Sequence, residues 1–411
     1  MIPDSLKKHL PKNFDVEKII PKTKRKLIVL SPWGFEYDPY PRNNSLGIKF
    51  KPRSTRLQSA HEMQCRVFEK VLKLLCESSN TDFIWAGIEE FNIHCRDSSI
   101  RDIVVKNETW FKEFLIKICA NRNLSVTMLS GVDTTSPDKS FLNSLNKTVD
   151  EKYIKIIGIP YIWFYIAISI HFSHLNINID KLIKFPKTNL FVSMIRRGKY
   201  FRCYGIDMLA KYNLINDKSM LNICLGGPFA DYSYKYWTPK KLTFKEHLGD
   251  YSLKMDNFPN DEYMSSFIEL VFETTVDIKD ISEKTVRPIL FMKPFLLIGH
   301  ATIHARLKEY GFELFEELFD YSFDSIENTE ERIEKTILEL KKYENLEPSD
   351  YDELYKKLLP KLKHNFNRLL TFEKYYPLPN EVYKVPSYVY YMQERFIFIK
   401  RHNHLLKDLA N

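Results

Sequence analysis

Short apolar runs of strand length recur along this chain, and stretches with helical spacing separate them. Candidate strands lie over 26–31, 82–86, 125–129 and 153–157, with helical patterns over 61–75 and 108–120. A second series follows, with strands over 189–194, 222–225, 267–272 and 295–298 and a helix over 204–212. A parallel strand pair needs a crossover of a dozen or more residues, usually a helix, so this alternation argues for parallel sheets covered by helices. The expected fold class is α/β, in two halves of similar size.

The segment around Pro186 is the best boundary between the halves. The expected division is 1–185, 186–345 and a helical extension over 346–411. Long helices are expected over 328–343 and 349–370, the first capped by Asn328 or Thr329. The tail beyond 377 is rich in Tyr, Phe, Lys and Arg, and its apolar content suggests docking onto the body.

A chain of 411 residues has the length for two or three domains. Its net charge of +8 permits an anionic partner without demanding one. The six cysteines show no CxxC spacing and sit mostly in apolar stretches, which suits buried thiols in a reducing, cytoplasmic setting. The first residues carry charges throughout and no apolar core of a signal peptide. The apolar stretch 156–170 is shorter than a membrane span of about 20 residues and contains Pro160. It reads as a buried strand running into a buried helix.

Two segments carry candidate chemistry. The first runs Asp280-Ile281-Ser282-Glu283-Lys284-Thr285-Val286-Arg287-Pro288, between two strand-like runs. A helix beginning at Ser282-Glu283-Lys284 offers free backbone N–H groups and partial positive charge, which suits a phosphate. Lys284 and Arg287 add formal charge, and Glu283 can accept hydrogen bonds from a ribose. A plain helix cap at Ser282 explains the same residues. The second segment is Ile195-Arg196-Arg197-Gly198-Lys199-Tyr200-Phe201-Arg202, where a strand runs into a basic loop and then a helix. Ligands of open α/β sheets bind beyond the carboxyl ends of strands, and both loops occupy such ends. A solvated basic turn is the alternative for the second.

Together these segments resemble GT-B-type glycosyltransferases, nearest to fucosyltransferase-like and uncharacterised bacteriophage and large-virus members. The resemblance continues through Pro294-Phe295-Leu296-Leu297-Ile298-Gly299, then His304 to Phe312 and the aromatic, acidic stretch from Phe315 to Asp324. It covers 189–343, less than half the chain. It implies two Rossmann-like domains facing across a cleft, with C-terminal helices packing back. It further implies transfer of a sugar from a nucleoside-diphosphate donor of UDP or GDP type to an acceptor hydroxyl, without metal or bound cofactor. Arg196, Arg197, Arg202, Ser282, Glu283, Lys284, Thr285 and Arg287 would then hold the donor. The catalytic base would come from the N-terminal half. Asp133, in a strand–Gly–x–Asp loop, is the first choice and Glu89 the second, while Glu90, His61 and Glu62 are further candidates.

Other sites have less behind them. Asp350-Tyr351-Asp352 has the spacing of a metal-binding motif, but it precedes a helical pattern and reads as an N-terminal cap. His300 and His304 are four apart with no third ligand in view. Basic residues from Lys22 to Arg56 allow a DNA acceptor, and a solvated basic face accounts for them more simply. A third alternative is a non-catalytic scaffold that keeps a degenerate transferase fold.

Overall fold

The computed structural model describes residues 26–30, 81–86, 119, 121, 123–130, 154–158, 179–195, 198–223, 232–239, 261–276 and 281–375. The chain divides into two compact units, the first holding residues up to Pro160 and the second holding Tyr161–Tyr375, with the remaining C-terminal residues shared between them.

The first unit contains strands β1 (Lys26–Leu30), β2 (Thr81–Ala86), β3 (Leu124–Ser130) and β4 (Ile154–Gly158). They pair in parallel in the order β1-β2-β3-β4. Leu124 and Val126 alternate inward from β3 and are buried. Asp82 and Ser125 are register partners, and the Ser125 hydroxyl donates to the Asp82 carboxylate at 2.6 Å. The stretch 156–170 enters as the end of β4, and its remainder lies outside the described residues.

The second unit contains β5 (Asn189–Ile195), β6 (Ser219–Ile223), β7 (Ser266–Phe272) and β8 (Phe295–Ile298). These strands are also parallel, in the order β6-β5-β7-β8. The chain steps from β5 outward to β6, then returns to the other side of β5 for β7. A topological switch point therefore lies between β5 and β7, and in open parallel sheets ligands bind beyond the carboxyl ends of the strands at such a point. Both strands are buried almost throughout, as a sheet covered on both faces requires.

The helices of this unit are α1 (Ile179–Lys184), α2 (Tyr200–Lys211), α3 (Asp261–Ser265), α4 (Glu283–Leu290), α5 (Ile303–Glu309), α6 (Thr329–Lys341), α7 (Pro348–Leu370) and α8 (Phe372–Tyr375). A 3-10 turn, Tyr321–Ser325, follows α5. Asn328 caps α6 through its side chain, which accepts from the Glu331 N–H at 3.0 Å. Helix α7, the main element of the C-terminal extension, packs within the second unit. Tyr351 stacks on Phe267 of β7, and Tyr355 donates to the Met292 carbonyl at 2.9 Å.

Helix ends show how a chain with 12 glycines manages left-handed positions. Helix α5 closes at Gly311 with φ +83°, where a left-handed residue costs least. Helices α2 and α4 close the same way at Asn213 (φ 57°) and Met292 (φ 50°). In each case the following N–H returns to a carbonyl of the last turn: Leu214 to Leu209 at 2.8 Å, Lys293 to Pro288 at 2.9 Å.

Gly205 on α2 serves a different need. A Cβ there would lie 2.4 Å from the ring of Phe272, at the end of β7. Helix α2 can approach the sheet this closely only because the side chain is missing. We expect Gly205→Ala to destabilise the second unit by about 1–3 kcal/mol, since the Phe272 ring is buried and either it or α2 must shift to admit the methyl group. Chemical denaturation of both proteins checks this, and an unchanged midpoint would mean that α2 shifts freely.

Candidate functional site at the carboxyl edge of the second sheet

Three strand-end loops meet beyond β5, β7 and β8. From the first, Lys199 sends its ammonium to the Thr274 carbonyl. One turn along α2, Arg202 is buried and donates to the carbonyls of Phe272 and Glu273. From the second, Lys284 at the start of α4 reaches the Thr274 hydroxyl at 3.0 Å and the Glu283 carboxylate at 2.5 Å. From the third, Gly299 lies against Glu273: a Cβ there would sit 3.4 Å from the Glu273 Cβ and Cγ.

Glu273 is the hub of this edge. Its side chain is buried and accepts from the Thr274 N–H at 3.0 Å, the Ser282 N–H at 3.1 Å, and the hydroxyls of Ser282 and Thr285. Its own N–H donates to the Ile298 carbonyl at 2.9 Å, which joins β7 to β8. An internal carboxylate thus stands at the amino end of α4, where positive partial charge favours an anion.

Glu283 is turned outward, with 43% of its side chain exposed. Burial raises its carboxyl pKa, and Lys284 with Arg287 more than reverses this, so the group lies below the usual carboxylate range and is charged at neutral pH. The exposed Tyr200 ring flanks the same edge next to Lys199, and its hydroxyl donates to Glu330 on α6.

The structure places the sequence candidates unevenly. Arg202, Ser282, Glu283, Lys284 and Thr285 gather at the edge. Ser282 is the N-cap of α4, its hydroxyl accepting from the Lys284 N–H at 3.3 Å. Arg287 is placed elsewhere, with its guanidinium on Glu269 in the middle of β7. Arg196, Arg197, Asp133 and Glu89 lie outside the described residues, as do Glu90, His61 and Glu62. Sequence reasoning missed Lys199's reach and Glu273 itself. The signal was present: an acid at the end of an apolar strand needs donors, and Ser282 and Thr285 supply them.

The remaining candidates have structural partners. Asp350 accepts from the Glu347 N–H at 2.9 Å, as a cap does, while Asp352 accepts from the Lys187 N–H at 3.0 Å. His304 is buried and bonds through Nδ1 to Asp324 at 2.8 Å, while its Nε2 accepts from the Leu297 N–H at 3.2 Å. That contact fixes the Nδ1–H tautomer and covers a backbone donor of β8. Asp324 also accepts from the His304 and Ala305 N–H groups and so caps α5. Among the described residues no cluster of three or more His, Cys, Asp or Glu could hold a metal ion. No described helix is long and apolar enough to cross a membrane. Cys119 and Cys203 are free and buried.

The fold defines an α/β protein built on parallel sheets, with a polar, mixed-charge edge at a switch point. Comparison with known protein families, curated proteins and solved structures returns no match.

Proposed function

We propose that this chain is a glycosyltransferase that moves a sugar from a nucleoside-diphosphate donor to an acceptor hydroxyl. The observation that carries the reading is the convergence of the β5–α2 and β7–α4 loops at the switch point between β5 and β7, joined by Lys199 and Lys284 on Thr274. Open parallel sheets bind nucleotides at such points. The half-buried, ionised Glu283 suits the two hydroxyls of a ribose. Lys199 and Lys284 suit a diphosphate, and as it departs they stabilise the charge that develops on it.

In the transfer the acceptor oxygen bonds to the anomeric carbon. The bond from that carbon to the diphosphate oxygen breaks, and the diphosphate leaves with the electron pair. The hydroxyl proton passes to a carboxylate, for which Asp133 and Glu89 remain the candidates.

The test is a thermal-shift series with UDP, GDP and their sugar conjugates on the full chain. We expect one nucleotide series to raise the unfolding midpoint. Glu283→Ala should weaken that binding by about tenfold or more, because charge-assisted hydrogen bonds to the ribose contribute roughly 1.5–3 kcal/mol. No shift with any donor, together with an unaltered Glu283→Ala protein, would count decisively against the proposal.

A further inference from the structure

We infer that Glu273 is a positioning residue of the proposed donor site, a clamp whose two carboxylate oxygens set the β7–α4 loop and hence the direction of Glu283 and Lys284. The inference rests on the reading of this edge as a nucleotide site.

The hydrogen bonds divide evenly between the two oxygens. Oε1 accepts from the Ser282 N–H and the Thr285 hydroxyl; Oε2 accepts from the Thr274 N–H and the Ser282 hydroxyl. Each oxygen therefore holds one backbone donor and one hydroxyl. Thr274 opens the loop and Ser282 closes it, so a single side chain ties both ends. The same residue is held from two other directions, by Arg202 on its carbonyl and by Ile298 on its N–H. Glu283 and Lys284 follow Ser282 directly, and Lys284 reaches back to Thr274. The clamp thus fixes both anchor points of the groups that would meet the donor.

Glutamine has the shape of glutamate and fails here for a definite reason. It offers one acceptor oxygen and one NH₂ donor. The hydroxyls of Ser282 and Thr285 can rotate to accept, but a backbone N–H cannot. Whichever way the amide is flipped, its NH₂ faces the N–H of either Thr274 or Ser282, and that end of the loop opens.

The experiment has two arms on the full chain. Hydrogen exchange is followed across 274–285 without ligand, and UDP and GDP binding is followed by titration calorimetry well below the unfolding midpoint. For Glu273→Gln we expect exchange at the Thr274 or Ser282 amide to rise by roughly tenfold or more, and nucleotide affinity to fall by a similar factor. Thr285→Val removes one hydroxyl donor and keeps the volume. It should give smaller changes in the same direction, and it decides the question if Glu273→Gln does not fold. A residue that only stabilises the fold would lower the midpoint and leave affinity measured below it unchanged, so that pattern overturns the inference. Unchanged exchange across the loop overturns it as well. Wild-type protein that binds neither nucleotide would instead defeat the reading of the site, and the exchange arm would still decide whether the clamp exists.

Discussion

Glu269→Ala is expected to destabilise the second unit by about 3–5 kcal/mol, the usual cost of leaving one member of a buried ion pair alone. Glu269 has a fully buried side chain in the middle of β7, and Arg287 on α4 is 11% exposed. The guanidinium bonds to one oxygen of Glu269 through both Nε, at 2.9 Å, and Nη2. The Tyr263 hydroxyl donates to the other oxygen. Removing the carboxylate takes away the acceptor that three buried donors share. It also removes the carboxylate that raises the Lys293 pKa against the lowering by burial and by Lys187. A loss of this size corresponds to roughly 10 °C in the unfolding midpoint of a unit this large. The double replacement Glu269→Leu with Arg287→Met should recover part of the loss, since no guanidinium is then left without its carboxylate, while the Tyr263 hydroxyl and Lys293 still lose theirs. Urea denaturation of the four proteins tests both statements. A single-variant cost below about 1 kcal/mol would show that the pair is solvated in solution.

Glu269 lies within β7 and Glu273 directly follows its last residue, Phe272, and both side chains reach α4. Glu269 holds the last turn of the helix through Arg287, and Glu273 holds its first turn through Ser282 and Thr285. The placement of α4, and with it of Glu283 and Lys284, thus depends on two buried acids, one within β7 and one just past its end.

This pair also marks where the sequence stopped being legible. The run over 267–272 is read correctly as a strand because its apolar residues dominate, but that same reading passes over its acid. Arg287 reads as a cation near a phosphate site because it closely follows the polar start Ser282-Glu283-Lys284-Thr285; in the fold its guanidinium meets Glu269, 18 residues away on a neighbouring element. Only tertiary packing reveals such a pairing. Ser282 is local, and there the expected cap is the observed one. Helix α2 begins at Tyr200, four residues before the apolar pattern that announces it over 204–212, because its first turn carries Arg202 inward as a buried cation. Strand β6 starts at Ser219, three residues before the apolar run over 222–225, of which 224 and 225 lie outside the described residues. Its position is set by register with β5, Phe191 opposite Ser219 through Ile195 opposite Ile223, and pairing outweighs hydropathy at a strand end. The other strands agree with their apolar runs to within about two residues, the usual slack in element boundaries.

The opposite edge of the second sheet yields a pH effect of comparable size. Lys187 and Lys293 are both 3% exposed. Lys187 donates to the carbonyls of Leu182, Phe185 and Met264 and lies 4.5 Å from the centre of the Tyr355 ring. Lys293 donates to the Ser266 carbonyl and lies 4.7 Å from the Tyr263 ring. The carboxylates that act on them are the half-buried Asp352 on Lys187, and on Lys293 Glu269, already shared with Arg287 and Tyr263. Burial lowers the Lys187 pKa from 10.5 to about 8, with Asp352 opposing. Burial, and then the like charge of Lys187, brings Lys293 well below its ordinary value.

A lysine whose pKa is depressed in the folded state binds its proton more tightly when unfolded. Its destabilising contribution is full below the folded pKa and is gone above the unfolded one. For Lys187 that window runs from about 8 to 10.5. Buried tyrosines close it from above, because burial holds the Tyr351 phenol up at about 12 while an unfolded tyrosine ionises from 10.0. Stability should therefore rise between neutral pH and about pH 10, by roughly 2–3 kcal/mol from Lys187 alone, and then fall. Lys293→Met should raise stability at pH 7 by about 1–4 kcal/mol and flatten the rise, because a thioether of similar length fills the site without a charge to desolvate. Urea midpoints at unit pH steps from 6 to 11 would decide it. A flat wild-type profile, or a Lys293→Met protein less stable than wild type at pH 7, would mean that the carbonyl of Ser266 and the face of Tyr263 more than offset the loss of water around the ammonium.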